Sequence, residues 1–120
     1  MNIFQDTLRR IAERVEGTRA VSLIGTDGIP IDSYGESAPG ALESASAELG
    51  AFVKSSLRSR GSADGQRIEQ ISLVTESEVA ILSRVTAEYY LLLLLSREGN
   101  VGRGRFELRK AGLLLEKELL

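Results

Sequence analysis

The chain has 120 residues, which is long enough to bury an apolar core without disulfides or metals. It contains neither cysteine nor histidine, and this excludes thiolate chemistry and removes the usual general base and the commonest metal ligand. A formal net charge of −2 and an aromatic content of 5% do not favour a nucleic-acid-binding protein.

An amphipathic helix is predicted over residues 2–16, and Gly17 suits its end. Its apolar positions at helical spacing are Phe4, Leu8, Ile11 and Val15. A hairpin follows in the stretch LIGTDGIPIDSYG, residues 23–35. The pair Asp27-Gly28 predicts a tight two-residue turn with positive φ at both residues. Pro30 has no N–H to donate, so the second strand is predicted at one edge of a sheet.

A second helix is predicted from Ala41 to about Arg60, with Pro39 in its first turn. At about 100° per residue, its predicted core face consists of Leu42, Ala45, Leu49, Phe52, Val53 and Leu57. Nearly opposite lies a set of small residues: Gly40, Ser44, Ala47, Ala51 and Ser55. Small residues allow another backbone to come close. The set is therefore either an Ala/Ser-rich surface or a contact face.

The stretch RIEQISLVTESEVAILSRVTAEYYLLLLLSREGN predicts three strands. Ile71 and Leu73 are expected on one face of the first of these strands, with Ser72 and Val74 on the other. The unbroken leucines at 91–95 predict a strand that is covered on both faces and therefore central.

The RIEQISLVT strand is then a candidate for the far edge of the sheet. It contains no proline or glycine. Its charged residues are Arg67 and Glu69, and Glu76 follows directly after it. Such an edge can pair with another copy of the chain. Together with the small-residue helix face, it suggests a symmetric dimer with a continuous sheet.

A last helix is predicted from Val101 onward. The order helix, two strands, helix, three strands, helix predicts one α+β domain over residues 1–120. The leucine run falls short of a membrane span, and the N-terminus lacks a signal-type apolar segment, so we expect a cytoplasmic protein.

The residue inventory does not favour an enzyme. Gly99, Gly102 and Gly104 do not follow a phosphate-loop order, and no Gly-Lys-Ser/Thr follows them. Without histidine, an activated serine would need a lysine or amine base, and no lysine lies beside a suggestive serine motif. The carboxylates are too scattered for a metal site. We therefore expect no catalytic residues, no metal and no cofactor.

Two features near the C-terminus have alternative interpretations. A basic cluster contains Arg97, Arg103, Arg105, Arg109 and Lys110. It is either solvated helix-face charge or a surface that steers an acidic partner. An apolar stripe contains Phe106, Leu113 and Leu120, spaced seven apart and opposite the core positions. It is either a second contact surface or a terminus that bends into the core.

The chain resembles the roadblock family, which includes dynein roadblock light chains and bacterial MglB-type regulators. The resemblance rests on VEGTRAVSLIGTDGIPIDSYG after an amphipathic helix, on the small-residue helix, and on EYYLLLLLSREGNVGRGRFELRKA before the last helix. It implies a roadblock/longin-like fold, a five-stranded antiparallel sheet with the hairpin at one border, and dimerisation through the third strand and the middle helix.

The resemblance also implies a function. Family members are not enzymes but bind Ras-like small GTPases or belong to scaffolds and motors. MglB-like members promote GTP hydrolysis by an MglA-type GTPase without donating a catalytic arginine. We expect a homodimeric regulator of such a GTPase; the alternative is a structural subunit without effect on GTP turnover. The expected dimer residues are Ser44, Ala47, Ala51, Ser55, Ile71 and Leu73. Lys54 and Arg58 are the candidate GTPase contacts.

Overall fold

The computed structural model describes residues 2–35, 40–60 and 67–119, with only the backbone described for residues 56–60. The helices are α1 (Ile3–Arg14), α2 (Ala41–Arg60) and α3 (Val101–Leu119). The strands are β1 (Thr18–Gly25), β2 (Pro30–Gly35), β3 (Gln70–Val74), β4 (Glu78–Arg84) and β5 (Tyr89–Ser96). The predicted element order is therefore confirmed. None of the helices described is long and apolar enough to cross a membrane.

The five strands form one antiparallel sheet in the order β2-β1-β5-β4-β3. The leucine strand β5 is central, as its unbroken apolar run predicts. The strand that begins at Pro30 forms one border, and β3 forms the other. Both predicted edges are thus confirmed.

The leucine strand supplies two separate apolar cores, because successive side chains of a strand point to opposite faces. Leu91, Leu93 and Leu95 pack with α1 and α3 on one side of the sheet. Leu92 and Leu94 pack with α2 on the other side. The protein is therefore three layers, with α1 and α3 below the sheet and α2 above it.

The hairpin turn differs from the predicted two-residue turn. The N–H of Gly28 donates to the carbonyl of Gly25 at 2.9 Å, and the N–H of Gly25 donates to Ile29 at 3.1 Å. Among the residues described, only glycines have positive φ, so Asp27 does not adopt it. Within the turn, Gly28 is the one left-handed residue, with φ of 83°, as expected for a three-residue loop with a glycine bulge. The Asp27 carboxylate instead accepts from the N–H of Ile29 at 2.9 Å.

The middle helix begins at Ala41, as predicted. Gly40 precedes the helix in a turn with φ of 78°, so it is not part of the small-residue face, contrary to the prediction. The predicted first-turn position of Pro39 and the predicted core position of Leu57 lie outside the residues or side chains that the structure describes.

Candidate partner-binding surfaces

The outward face of α2 carries small side chains. Leu42, Leu49 and Val53 are buried against the sheet, and this fixes the orientation of the helix. The four small residues predicted within the helix are all exposed: Ser44, Ala47, Ala51 and Ser55. We call these four residues the small-residue face. No long side chain among them holds another backbone away.

The prediction that Phe52 belongs to the core is wrong, because 52% of its side chain is exposed. Helical arithmetic puts Phe52 about 80° from the centre of the core face, at its border, where the sheet does not cover it. Phe52 and Lys54 therefore flank the small-residue face on opposite sides. An exposed aromatic ring beside small residues is a common element of protein interfaces. Sequence periodicity missed this candidate because it assigned every large apolar residue of the helix to the core.

Lys54 is exposed, as a partner contact requires, and it lies beside the hairpin turn. It lines a small cavity together with Thr26, Gly50 and Tyr90. Burial raises the pKa of the Tyr90 phenol, and the nearby Arg84 opposes this effect. The side chain of the second candidate, Arg58, is outside the part of α2 for which side chains are described.

The β3 edge has no strand on its outer side among the residues described. Leu73 is 43% exposed and Val74 is 62% exposed. Ile71 differs from the other predicted dimer residues, because it is half-buried and packs against the core beneath α2. Within the described part of the chain, one ion pair was found close to this edge, between Arg67 and Glu69 at 3.3 Å. Apolar surface is thus left beside backbone groups that can pair with another strand.

The small-residue face and the β3 edge lie on the same side of the molecule. Ile71 and Leu73 pair with Leu82 and Ala80 of β4, and these residues point towards α2. Ser72 and Val74 point to the opposite face of the sheet, as the alternation predicts. The structure therefore brings five of the predicted dimer residues to the surface on one side, with Ile71 half-buried beneath them.

A different surface lies on the α3 side of the sheet. Phe106 is 57% exposed and Leu113 is 70% exposed, while Leu108 and Leu115 on the opposite side of the helix are buried. The third residue of the predicted stripe, Leu120, lies outside the described residues. The stripe therefore does not bend into the core over the part that the structure describes.

The basic cluster is divided among several local contacts. Arg97 donates to the carbonyl of Thr75 at 2.6 Å. Arg103 pairs through its Nε with Glu107 at 2.9 Å, and Arg105 donates to the Gln70 side chain at 3.1 Å. Arg97, Arg103 and Arg105 therefore each make a separate local contact.

Glu107 is a buried charge that the sequence does not reveal. Only 3% of its side chain is exposed, and Arg14 of α1 approaches its second carboxylate oxygen at 3.7 Å. The carboxylate thus links α1 to α3. Within residues 2–35, 40–60 and 67–119, no group of three or more acidic side chains could hold a metal ion.

The fold matches that of several solved structures. A Roadblock/LC7 domain from Streptomyces avermitilis superposes with a TM-score of 0.80 at 19% identity, and the match covers 94% of each chain. MglC from Myxococcus xanthus has a TM-score of 0.67 at 30% identity, with 96% of this chain and 98% of that chain covered. MglB from Myxococcus xanthus has a TM-score of 0.77 at 16% identity, with 98% of each chain covered.

No family model matches the sequence, and no match was found among curated proteins. The 30% identity to MglC, over nearly the whole of both chains, shows the family, and the other structures share the fold. The α+β order, the five-stranded antiparallel sheet and the three helices agree with that likeness. The chain belongs to the roadblock family.

Proposed function

We propose that the protein is a homodimeric, non-enzymatic regulator that binds a small Ras-like GTPase of the MglA type. The cytoplasm is the expected compartment. The proposal combines two observations about this chain with the function that its family implies. The first is an exposed small-residue face on α2, and the second is an uncovered β3 edge on the same side of the sheet.

The observation that supports the dimer best is the coincidence of these two surfaces. Two copies that pair along β3 would extend the sheet, and their α2 helices would meet on one side of it. Ser44, Ala47, Ala51 and Ser55 would then allow the two helices to approach closely. Leu73 would lose its exposure at the same time.

The paired α2 helices would form the docking platform for the GTPase. Phe52 would contribute the apolar contact. Lys54 and Arg58 would contribute the positive charge that pairs with an acidic group of the switch region. The regulator would shift the nucleotide state through a difference in affinity for the GTP-bound and GDP-bound forms. No catalytic residue of this chain is needed for such an effect.

The dimer is tested by light scattering on the Ala51→Glu variant. A carboxylate at this position would be buried without a partner between two helices, so we expect the mass of a single chain. Ile31→Glu is the matched control, because it places the same charge at an exposed apolar residue on the opposite border of the sheet. It should keep twice the mass of one chain. A dimer that survives Ala51→Glu would refute the proposed interface.

GTPase binding is tested by calorimetry with the MglA-type GTPase of the same host, loaded with GDP or with a GTP analogue. We expect tighter binding to one of the two forms and weaker binding by the Lys54→Glu variant, because reversing the charge repels the acidic surface. No binding of either form would reject the GTPase as partner.

The alternative function is that of a structural scaffold, and one comparison supports this alternative. The chain is 30% identical to MglC but only 16% identical to MglB. An effect on GTP turnover that belongs to MglB-like members therefore does not follow from the fold alone. Equal affinity for both nucleotide forms, with unchanged hydrolysis, would support the scaffold.

A further inference from the structure

A long groove runs between α3 and the beginning of β3, on the side of the sheet away from α2. It consists of two adjoining cavities of about 650 and 680 Å³. The residues on which the inference depends are Gln70, Arg105, Phe106, Arg109 and Leu113. We call this the α3/β3 groove. Its size matches that of a site for several side chains of a partner.

The groove presents apolar side chains at helical spacing. Phe106 and Leu113 are seven residues apart on the same face of α3, and both are largely exposed. The core side of the same helix is already filled by Leu108 and Leu115. A second apolar stripe of this kind fits a partner that offers its own apolar side chains at a matching repeat.

The groove also has an excess of positive charge. Arg105 is exposed, and two reciprocal hydrogen bonds hold it against the beginning of β3. Its Nε donates to the Gln70 Oε1, and the Gln70 Nε2 donates to the Arg105 carbonyl, each at 3.1 Å. Within the described ranges, no carboxylate lies within ion-pair distance of Arg105 or Arg109.

Two carboxylates also border the groove, and neither neutralises these arginines. Glu69 pairs with Arg67 at 3.3 Å. Glu116 lies three residues beyond Leu113 and has no ion pair with a described residue. The middle of the groove, between Phe106 and Leu113, therefore keeps the charge of Arg105 and Arg109.

We propose that the α3/β3 groove binds an acidic amphipathic helix of a partner protein. The apolar side chains of that helix cover Phe106 and Leu113, and its carboxylates pair with Arg105 and Arg109. A second copy of this face does not fit, because the arginines would meet like charges.

This surface is independent of the proposed GTPase platform. α2 lies on one face of the sheet, and α3 lies on the other. The groove shares only Gln70, the first residue of β3, with the edge that we propose to pair in the dimer. The protein would therefore hold two different partners at once, one on each side of the sheet.

The probe for the test is a synthetic helical peptide with leucines at i, i+3, i+4 and i+7 and glutamates on both flanks. A second peptide carries lysine at each glutamate position. Amide chemical shifts of the full chain are followed during titration. We expect the glutamate peptide to shift Phe106, Arg109 and Leu113, and the lysine peptide to shift none of them.

Charge reversal sharpens the test. The double variant Arg105→Glu/Arg109→Glu should bind the glutamate peptide about tenfold or more weakly and should gain affinity for the lysine peptide. The control Arg9→Glu/Arg10→Glu, with the same charge change on exposed positions of α1, should bind the glutamate peptide as the unchanged protein does. Ala51→Glu should also bind it normally, which separates this proposal from the proposed dimer.

Three outcomes would overturn the proposal. The first is equal binding of both peptides, and the second is an absence of shifts at the groove with the glutamate peptide. The third is binding of phosphatidylserine vesicles through Phe106 and Arg109 without binding of the peptide, which would assign the surface to membranes. Loss of GTPase binding bears only on the function proposed for α2.

Discussion

Gly28 of the hairpin turn packs directly against Ala47 of α2. A β-carbon at Gly28 would lie 3.1 Å from the Ala47 Cα and 3.0 Å from the Ser46 carbonyl oxygen. The turn therefore determines how closely α2 can lie on the sheet. Because Ala47 belongs to the small-residue face, the hairpin also positions the surface through which we propose that the protein dimerises.

Gly28→Ala is expected to destabilise the protein more than Gly40→Ala. Both glycines have positive φ, at 83° and 78°, so both substitutions introduce backbone strain of about 1 kcal/mol or more. Gly28 has α2 within contact distance, whereas none of the residues that the structure describes lies within 4 Å of a β-carbon at Gly40. Overpacking should add about 1–3 kcal/mol at Gly28. Denaturant unfolding measures the stability of both variants. Equal losses of unfolding free energy would show that this contact does not hold α2.

The ion pair between half-exposed Arg103 and buried Glu107 should contribute more to stability than an exposed pair on α1. Arg103→Met keeps an apolar stem over the Phe106 ring but leaves the buried carboxylate with Arg14 alone. Because Arg103 is half-exposed, we expect a loss of about 1–3 kcal/mol.

Arg9→Met is the control for this prediction. It breaks the exposed pair of Arg9 and Asp6, at 3.3 Å, and should cost less than about 1 kcal/mol. Urea unfolding curves of the two variants supply the comparison. Similar losses would mean that Glu107 is adequately solvated without Arg103.

Alternation and length explain why much of the fold can be predicted from the sequence. Five leucines also suit a helix, but the short length of the run and the turn residues beside it favour a strand, and a strand of unbroken leucines must be covered on both faces. Pro30 predicts one border of the sheet because it has no N–H to donate to a neighbouring strand. The pairing of β1 with β5 is long-range, and no residue pattern in either strand predicts it.

The errors have physical causes as well. Asp-Gly fits both a two-residue turn and a three-residue loop with a glycine bulge, so the pair does not determine the φ of Asp27. Phe52 was assigned to the core by its type, whereas its exposure depends on how far the sheet extends beneath α2. Glu107 is buried where Arg14 of another helix reaches it, and helix periodicity cannot predict a contact between two helices.

Alkaline pH should destabilise the protein through Tyr90. Burial raises the pKa of this phenol above 10.0, and the negative charge of Glu69 adds to the effect. The folded state thus holds the phenolic proton more tightly than the unfolded state does. The resulting stabilisation is present below pH 10 and is lost as the pH rises through the folded-state pKa.

Thermal unfolding between pH 8 and 11 tests this prediction. Tyr90→Phe removes the ionisable group, so its midpoint should fall less above pH 10 than that of the unchanged protein. Tyr34→Phe, at an exposed position on β2, should follow the unchanged protein. If Tyr90→Phe and the unchanged protein lose stability in parallel, Tyr90 is not the group responsible.

Phe52→Ser should weaken partner binding without lowering stability. The ring is 52% exposed, so its removal gives up little buried area, and we expect a change in unfolding free energy of less than about 1 kcal/mol. At an interface, the loss of an aromatic anchor typically costs about 2 kcal/mol or more, which is roughly a thirtyfold loss of affinity. Calorimetry with the MglA-type GTPase measures it. The matched control is Phe106→Ser, an equally exposed phenylalanine on α3, which should leave that affinity unchanged. If both substitutions weaken binding alike, or if only Phe106→Ser does, the GTPase platform does not lie on α2.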